Sequence, residues 1–438
     1  MWKNFLRYQT HITYQARFFM LNYLDRYAAN SQCAVPVARL AKELRIDKDI
    51  VRNNLAELCN AGLVEISSVK LTKRGQPPLV CSLSEQFEKF LMQPIKIPEY
   101  VALQLEKLGL HDHHKRTGRF RNELKLSKSQ SLLLGVLIAH CEMLGFVHNL
   151  SQKKLSELTG EKVPTIKQYL KKLKNAEFIT ELWPGFIDKN LVGKQAAGYL
   201  IHFHILITSK DEAYPRSINF RDALESKPQL AVLKHPEKVR KLSYTFAAEV
   251  QKFYETLNTQ YLEQLKTIDV KSLQQNTAYK FIYWQAANLA STLLREHLYG
   301  LKIDERISLQ TVNNLADKYL ENVLQLFKGT KVRANTLTQE SWPPPQLSEK
   351  EIELYNSLRN KFGRDSCARA AYSLFFFFDC LMLAAELIPK LNAALDESRK
   401  YNTLYLDHTT ILFHADLFMK STFTITGLIN QGVSPLSK

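Results

Sequence analysis

The sequence predicts a mainly α-helical protein, with two small α+β modules in tandem in its first half and helices throughout its second. Three observations lead there. A two-helix pattern followed by a hairpin pattern begins at Val37, the same order of elements returns further along at a constant spacing, and from about residue 236 apolar residues recur at helical period. The expected boundaries are a first module over 1–90, a linker over 91–125, a second module over 126–210, a helical region over 211–334, a proline-containing linker over 335–347 and a C-terminal helical hairpin or bundle over 348–438.

With 45% hydrophobic and 23% charged residues, the chain of 438 has the make-up of a folded protein long enough for several domains. Its cysteines, Cys33, Cys59, Cys81, Cys141, Cys367 and Cys380, form no Cys-x-x-Cys pair and read as reduced thiols. The opening MWKNFLRYQTHITYQARFF is broken by Lys3, Arg7, His11 and Arg17, so it lacks the apolar run of a secretion signal; a cytoplasmic protein is expected. The net charge of +16 is unevenly spread: residues 1–210 hold 31 basic and 18 acidic side chains, residues 211–438 hold 28 and 25. Basic surface gathered in one half points to a polyanionic partner, because phosphates attract Lys and Arg and shed counterions on contact.

In the first module, Leu40, Leu44, Val51, Leu55 and Leu58 fall at helical spacing across a break near Ile46 and Asp47, which fits two short helices at an angle. Asp47 is placed to cap the second helix and Gly62 to end it. Two β-prone stretches follow, LVEISSVKL and LVCSLS, joined by a polar turn that carries Lys73, Arg74 and Gly75.

Residues 151–206 repeat the plan without a gap at an offset of 115. Leu40 falls on Leu155, Val51 on Ile166, Leu55 on Leu170, Leu58 on Leu173 and Leu63 on Phe178, and Phe19 and Leu21 fall on Leu134 and Val136. Helix, helix and hairpin with a basic tip resembles the winged-helix superfamily. That resemblance implies that the second helix of each pair enters the major groove of double-stranded DNA while the wing touches the flanking backbone. Two winged-helix modules of unequal basicity also resemble plasmid replication initiators, in which one copy helps to dimerise and the other grips repeated sites; the helical half has no counterpart in that pattern.

On the second helix of the second module, taking Ile166, Leu170 and Leu173 as the buried stripe puts Gln168 and Lys171 opposite it, flanked by Thr165, Lys167 and Lys172. This is a donor-rich face suited to phosphates and base acceptors. The matching face of the first module offers Arg52 and Asn53 together with Asp49 and Glu57, whose carboxylates are expected to repel phosphate, so the second module should carry more of the affinity. Lys189 and Lys194 in the longer second loop join the candidate contacts, as do Lys115, Arg116, Arg119 and Arg121 of the linker, which reads either as an arm along the DNA or as a solvated connection. His111, His113 and His114 lack ligand spacing and read as surface histidines.

The string GYLIHFHILI sets His202 and His204 two apart on one face of a strand, which looks like the His-hydrophobic-His pair of relaxases and rolling-circle nucleases. In that family the nucleophilic tyrosine usually follows the histidines; here the Tyr169–Lys172 string precedes them and sits on a helix. The preferred reading is the return strand of the second wing. No catalytic residue, metal site or cofactor motif is identified elsewhere.

The second half reads as helices over Pro236–Leu265, Thr277–Tyr299, Ile307–Phe327, Ser348–Phe362, Arg364–Asn392 and Thr403–Ile429. Its most apolar stretch, Tyr372 to Pro389, contains Asp379 and Glu386 and is expected to be a buried core or interface helix rather than a membrane span. These helices are the candidate surface for a homo-oligomer or a protein partner. The expected task is sequence-specific binding of double-stranded DNA in transcriptional control; the alternative is a mobile-element or plasmid DNA-binding protein of replication, transfer or recombination, with a metal-dependent nickase behind both.

Overall fold

The computed structural model describes residues 1–27, 35–68, 79–94, 99–108, 110, 125–141, 145–188, 192–202, 215–220, 246–266, 276–293, 297, 306–327, 372–385, 409–415 and 421–428. The architecture is mainly helical with small sheets of two or three strands. The chain forms two compact units, one of Met1–Glu181 with Ala196–Tyr214, the other of Leu182–Gln195 with Pro215–Lys438.

The first unit opens with α1 (Trp2–Phe5) and α2 (Tyr14–Tyr27), then β1 (Val35–Pro36), the helix pair α3 (Val37–Leu44) and α4 (Lys48–Asn60), and the antiparallel strands β2 (Val64–Ser68) and β3 (Leu79–Leu83). The Asp47 side chain accepts from the Asp49 N–H at 2.8 Å, capping α4 as its position implied. At the other end Gly62 takes φ +69°, which lets the chain reverse and the Leu63 N–H reach the Leu58 carbonyl at 3.0 Å. After α5 (Glu85–Met92) comes α6 (Glu99–Lys107), so part of the stretch expected as linker is helical. Val101, Leu105, Leu108 and Leu110 are buried, and Leu110 lies so close to Gly135 that a Cβ there would overlap it.

The same order then recurs as α7 (Lys128–Ala139), β4 (Phe146–Val147), α8 (Gln152–Thr159), α9 (Val163–Asn175) and β5 (Ile179–Trp183), with β6 (Phe186–Asp188) and β7 (Gly193–Gln195) inserted before β8 (Gly198–Ile201). Both ends of α3, α4 and β2 reappear 115 residues later as the ends of α8, α9 and β5. The sheets match as well, β1-β3-β2 against β4-β8-β5, each with the return strand in the middle. So do the turns: Phe178 N–H to Leu173 O is 3.0 Å, as is its counterpart Leu63 to Leu58, and Ala176 N–H to Lys172 O is 3.0 Å, as is Ala61 to Glu57. Leu40 and Leu155, Val51 and Ile166, and Leu58 and Leu173 are all fully buried. An apolar stripe at helical period therefore has one way to sit on its sheet, and both copies take it.

Residues 8–17 join the two copies inside this unit. The backbone of Ile12, Thr13 and Tyr14 presses on Gly160 at the end of α8, where φ is +75° and a Cβ would stand 2.3 Å from the Tyr14 nitrogen. Arg17, wholly buried, donates to the carbonyls of Glu157 in the last turn of α8 (2.8 Å), Tyr8 (3.2 Å) and Thr10 (3.3 Å), and its guanidinium lies 4.9 Å from the Phe5 ring centre. Burial pulls its pKa down to about 9. The helix C-terminus and three carbonyl dipoles supply the negative ends that keep this cation inside.

In the second unit β6 and β7 pair antiparallel, Phe186 opposite Gln195. The helices are α10 (Ala248–Lys266), α11 (Asn276–Leu293) and α12 (Leu309–Leu326), the last capped by Ser308, which accepts from the Thr311 N–H at 3.2 Å. Residues 372–385 are helical and buried throughout, with Phe375 and Phe378 against Tyr254, and Phe376 and Tyr372 against Phe327. That places residues 372–385, the described part of the most apolar stretch, in a core, and among the described residues no helix is long and apolar enough to cross a membrane.

The expected helix over Thr403–Ile429 is corrected. The described part holds two strands, β10 (Thr409–Ala415) and β11 (Ser421–Leu428), which with β9 (Pro215–Phe220) form a sheet of order β10-β11-β9. Thr409, Thr410, Ile411, Thr422, Thr424, Ile425 and Thr426 explain it: β-branched side chains lose χ1 freedom in a helix and pack well on a pleated surface. The expected helix Ser348–Phe362 and the proline linker 335–347 lie outside the described residues.

Candidate nucleic-acid interface

The matched frames make the two second helices directly comparable, position by position. Residues 162–175 carry five lysines and no acidic residue; residues 47–60 carry two basic and three acidic residues. The difference starts at the cap. Asp47 and Lys162 hold the same position with nearly the same backbone, φ −56° and ψ 142° against φ −70° and ψ 147°, but only Asp47 accepts a hydrogen bond from the helix. No side chain caps α9, whose N-terminal N–H groups and positive dipole end stand beside an exposed lysine.

Along α9 the buried stripe is Ile166, Leu170 and Leu173, and Lys167, Gln168, Lys171 and Lys172 are exposed while Thr165 is half-buried. Among the described residues Lys162, Lys167, Lys171 and Lys172 make no ion pair. Lys174 differs, since it is tied to Glu181 of β5 at 2.7 Å. On α4, Arg52 and Asn53 are exposed, and Arg52 meets Asp49 at 3.2 Å, which offsets its charge.

Glu57 is half-buried, and its carboxylate accepts from the Thr13 backbone N–H and from Thr13 Oγ1, the latter at 2.7 Å, bonds that hold the side chain and leave its negative charge in place. No spacing rule locates that partner, 44 residues away on the cap of another helix. Lys162 and Lys153 are further exposed basic residues of the second module, outside the candidates read from the buried stripe. The signal for Lys162 was its place just before the helix that the offset matches to α4.

Lys194 is exposed on β7. Lys73, Arg74, Lys115, Arg116, Arg119, Arg121 and Lys189 lie outside the described residues, as do His111, His113, His114 and His204. His202 is half-buried, with Nε2 2.7 Å from Thr180 Oγ1 and its N–H on the Phe178 carbonyl at 3.0 Å. It thus ties the end of β8 to β5. Among the described residues no group of three or more His, Cys, Asp or Glu is arranged to hold a metal ion.

No protein-family model matches the chain, and neither a curated protein nor a solved structure is similar to it.

Proposed function

We propose that this protein binds double-stranded DNA through two tandem winged-helix modules, with α9 as the principal reading helix, and that it acts in the cytoplasm in sequence-specific transcriptional control. The observation that carries the reading is the pairing of a repeated frame with opposite surfaces: the same helix in the same setting is bare, uncapped and carries only lysines in one copy, and acid-capped and charge-paired in the other. Lys162, Lys167, Lys171 and Lys172 are suited to phosphates, and the amide of Gln168 among them to the N6 and N7 edge of an adenine. Arg52 and Asn53 supply weaker contacts.

The test compares Lys171→Ala with Lys172→Ala, as a double variant, against Arg52→Ala with Asn53→Ala in duplex titrations at two salt concentrations. Each lost phosphate contact removes about 0.9 from the log–log salt slope, so the first pair should cost about 60-fold at 0.1 M salt and only about 4-fold at 0.5 M. The second pair should cost less. A larger loss from Arg52 and Asn53 reverses the assignment of the modules, and no loss from either pair removes the DNA-reading role. Sequences selected from a random duplex pool then separate control of a promoter from binding at iterated origin repeats.

A further inference from the structure

Within the first unit, the turn between α8 and α9 is held from outside its own module. Arg17 of α2, wholly buried, donates to the Glu157 carbonyl in the last turn of α8 at 2.8 Å, and the Gln9 amide donates to the Glu157 carboxylate. At Gly160, three residues on, the backbone of residues 12–14 comes so near that no side chain fits. The same segment is moored to the first module, because Thr13 donates twice to Glu57 of α4. Backbone carbonyls do not swing as a carboxylate does, so a rigid guanidinium shared among Tyr8, Thr10 and Glu157 fixes their relative directions.

The turn itself carries side-chain bonds. Thr159 Oγ1 donates to the Leu155 carbonyl at 2.8 Å and accepts from the Glu161 N–H at 3.3 Å, and Ser156 Oγ donates to the Glu161 carbonyl. The first copy lacks these groups: at the offset of 115, Leu132 corresponds to Arg17, while Ala41, Leu44 and Arg45 correspond to Ser156, Thr159 and Gly160. Arg45 has φ 53°, so the same left-handed turn is made there with a full side chain. Glycine at 160 therefore answers to the segment that presses on it rather than to the turn. Leu132 is buried like Arg17, so filling this core position needs no charge. The first copy steadies its second helix with the Asp47 cap; the second has no side-chain cap and is steadied through the turn instead.

We infer that residues 8–17 are the seat of the second helix-turn-helix, and that Arg17 is a positioning residue which holds the open start of α9, with Lys162 beside it, in place for a phosphate of the duplex. This rests on the reading of α9 as the DNA-gripping helix. The seat supplies by packing what a capping side chain supplies in the first copy, and so leaves the N–H groups of the helix start to a phosphate oxygen. Arg17 itself touches no DNA; it acts through Glu157 and the turn, and its gain is a helix start already ordered before the duplex arrives. Because coupling is reciprocal in free energy, a duplex on α9 stabilises the seat in turn.

The experiment uses the full chain and a mixed-sequence DNA duplex at two salt concentrations, with thermal melts to confirm folding. Arg17→Leu installs the residue of the matched position and removes all three donations. It should weaken duplex binding about eightfold at 0.1 M salt and lower the log–log salt slope by about 0.9, the mark of one phosphate contact. On a Lys162→Ala background the same substitution should change affinity by no more than about twofold, because the contact it positions is already gone. A folded Arg17→Leu protein with the wild-type slope, or losses that simply add in the double variant, overturns the seat. Where Arg17→Leu does not fold, hydrogen exchange of the wild type decides: the duplex should protect residues 8–17 together with α9, and protection of α9 without residues 8–17 overturns the proposal. If the wild type binds no duplex, or Lys162→Ala binds as tightly as the wild type, the DNA-reading role of the α9 start fails, and the seat with it.

Discussion

Replacing Lys162 by Asp should make the protein more stable and worse at binding DNA at once. The backbone at Lys162 already has the extended conformation of a capping residue, almost that of Asp47 in the first copy, so no rearrangement is needed to install a carboxylate. Pro164 offers no N–H, which leaves the Thr165 N–H as the donor within reach. Supplying the missing cap and removing a cation from the positive end of the helix dipole should together add about 1 kcal/mol. Loss of one phosphate-neutralising lysine at 0.1 M salt corresponds to about an eightfold weaker complex, and the new negative charge adds to that. Lys162→Ser separates the two parts, since its hydroxyl caps without charge: it should show most of the stability gain and only the lysine's share of the affinity loss. Thermal melts and duplex titrations of the full chain at two salt concentrations measure both. If affinity and salt slope stay at wild-type values in both variants, the open end of α9 does not face phosphate.

The two left-handed glycines should differ sharply. Gly160→Ala forces a Cβ into the backbone of residues 12–14 and should cost more than about 3 kcal/mol, whereas Gly62→Ala, with nothing within 4 Å, should cost about 1 kcal/mol for its φ alone; thermal melts rank them. His140 is mostly buried, and desolvation lowers its pKa to about 4 despite the bond from its Nδ1 to the Val136 carbonyl at 2.9 Å. The unfolded chain binds this proton first, so the stabilisation is full above the ordinary pKa near 6.5 and is lost as pH falls towards 4. The loss amounts to about 3 kcal/mol, and His140→Leu should flatten that part of a stability–pH curve. His202→Val should leave single-stranded DNA cleavage in divalent metal at wild-type level, and cost at most about 1 kcal/mol through its bond to Thr180; metal-dependent nicking lost in this variant would restore the nuclease reading.

What the sequence made legible was whatever local chemistry decides. The apolar stripe of α9, the Asp47 cap and the Gly62 reversal each depend on residues within a turn or two of one another, the 115-residue repeat is such a local pattern written twice, and each stands in the structure where the spacing put it. What it hid was settled at long range. Nothing near Glu57 in the sequence reveals that Thr13 holds its carboxylate, and residues 182–195 looked like part of the second module because a strand pattern does not say which core takes its aromatic face. The Thr403–Ile429 error had a different origin. Mixed apolar and polar positions there admitted a helical period, while the alternation and the β-branched content of Thr409–Ala415 and Ser421–Leu428 pointed to strands; composition should have outweighed period.

The repeat also bears on how the two copies came to differ in chemistry without differing in frame. The stripe positions Leu40 and Leu155, Val51 and Ile166, Leu55 and Leu170, and Leu58 and Leu173 are buried and apolar in both, because an unpaired polar group there would cost several times what a surface change costs. Surface positions are free of that constraint, and the largest divergence falls on them: Asp47 against Lys162, Ala56 against Lys171, Glu57 against Lys172. At 57 and 172 the exchange is more than a change of sign. The carboxylate of Glu57 reaches the cap of α2 through Thr13, so the first copy uses this helix position to hold its own unit together, whereas the second leaves Lys172 exposed. One helix thus spends its acidic groups on internal bonds, at Asp47, Asp49 and Glu57 alike, and the other pairs only Lys174 among its described lysines. A cluster of like charges on a helix surface repels itself and gives no internal stabilisation, and it is on this ground that a polyanionic partner is proposed for it. The helix starts differ in the same way: Asp47 caps the first from within, no side chain caps the second beside Lys162, and on the proposed reading a phosphate oxygen takes that place.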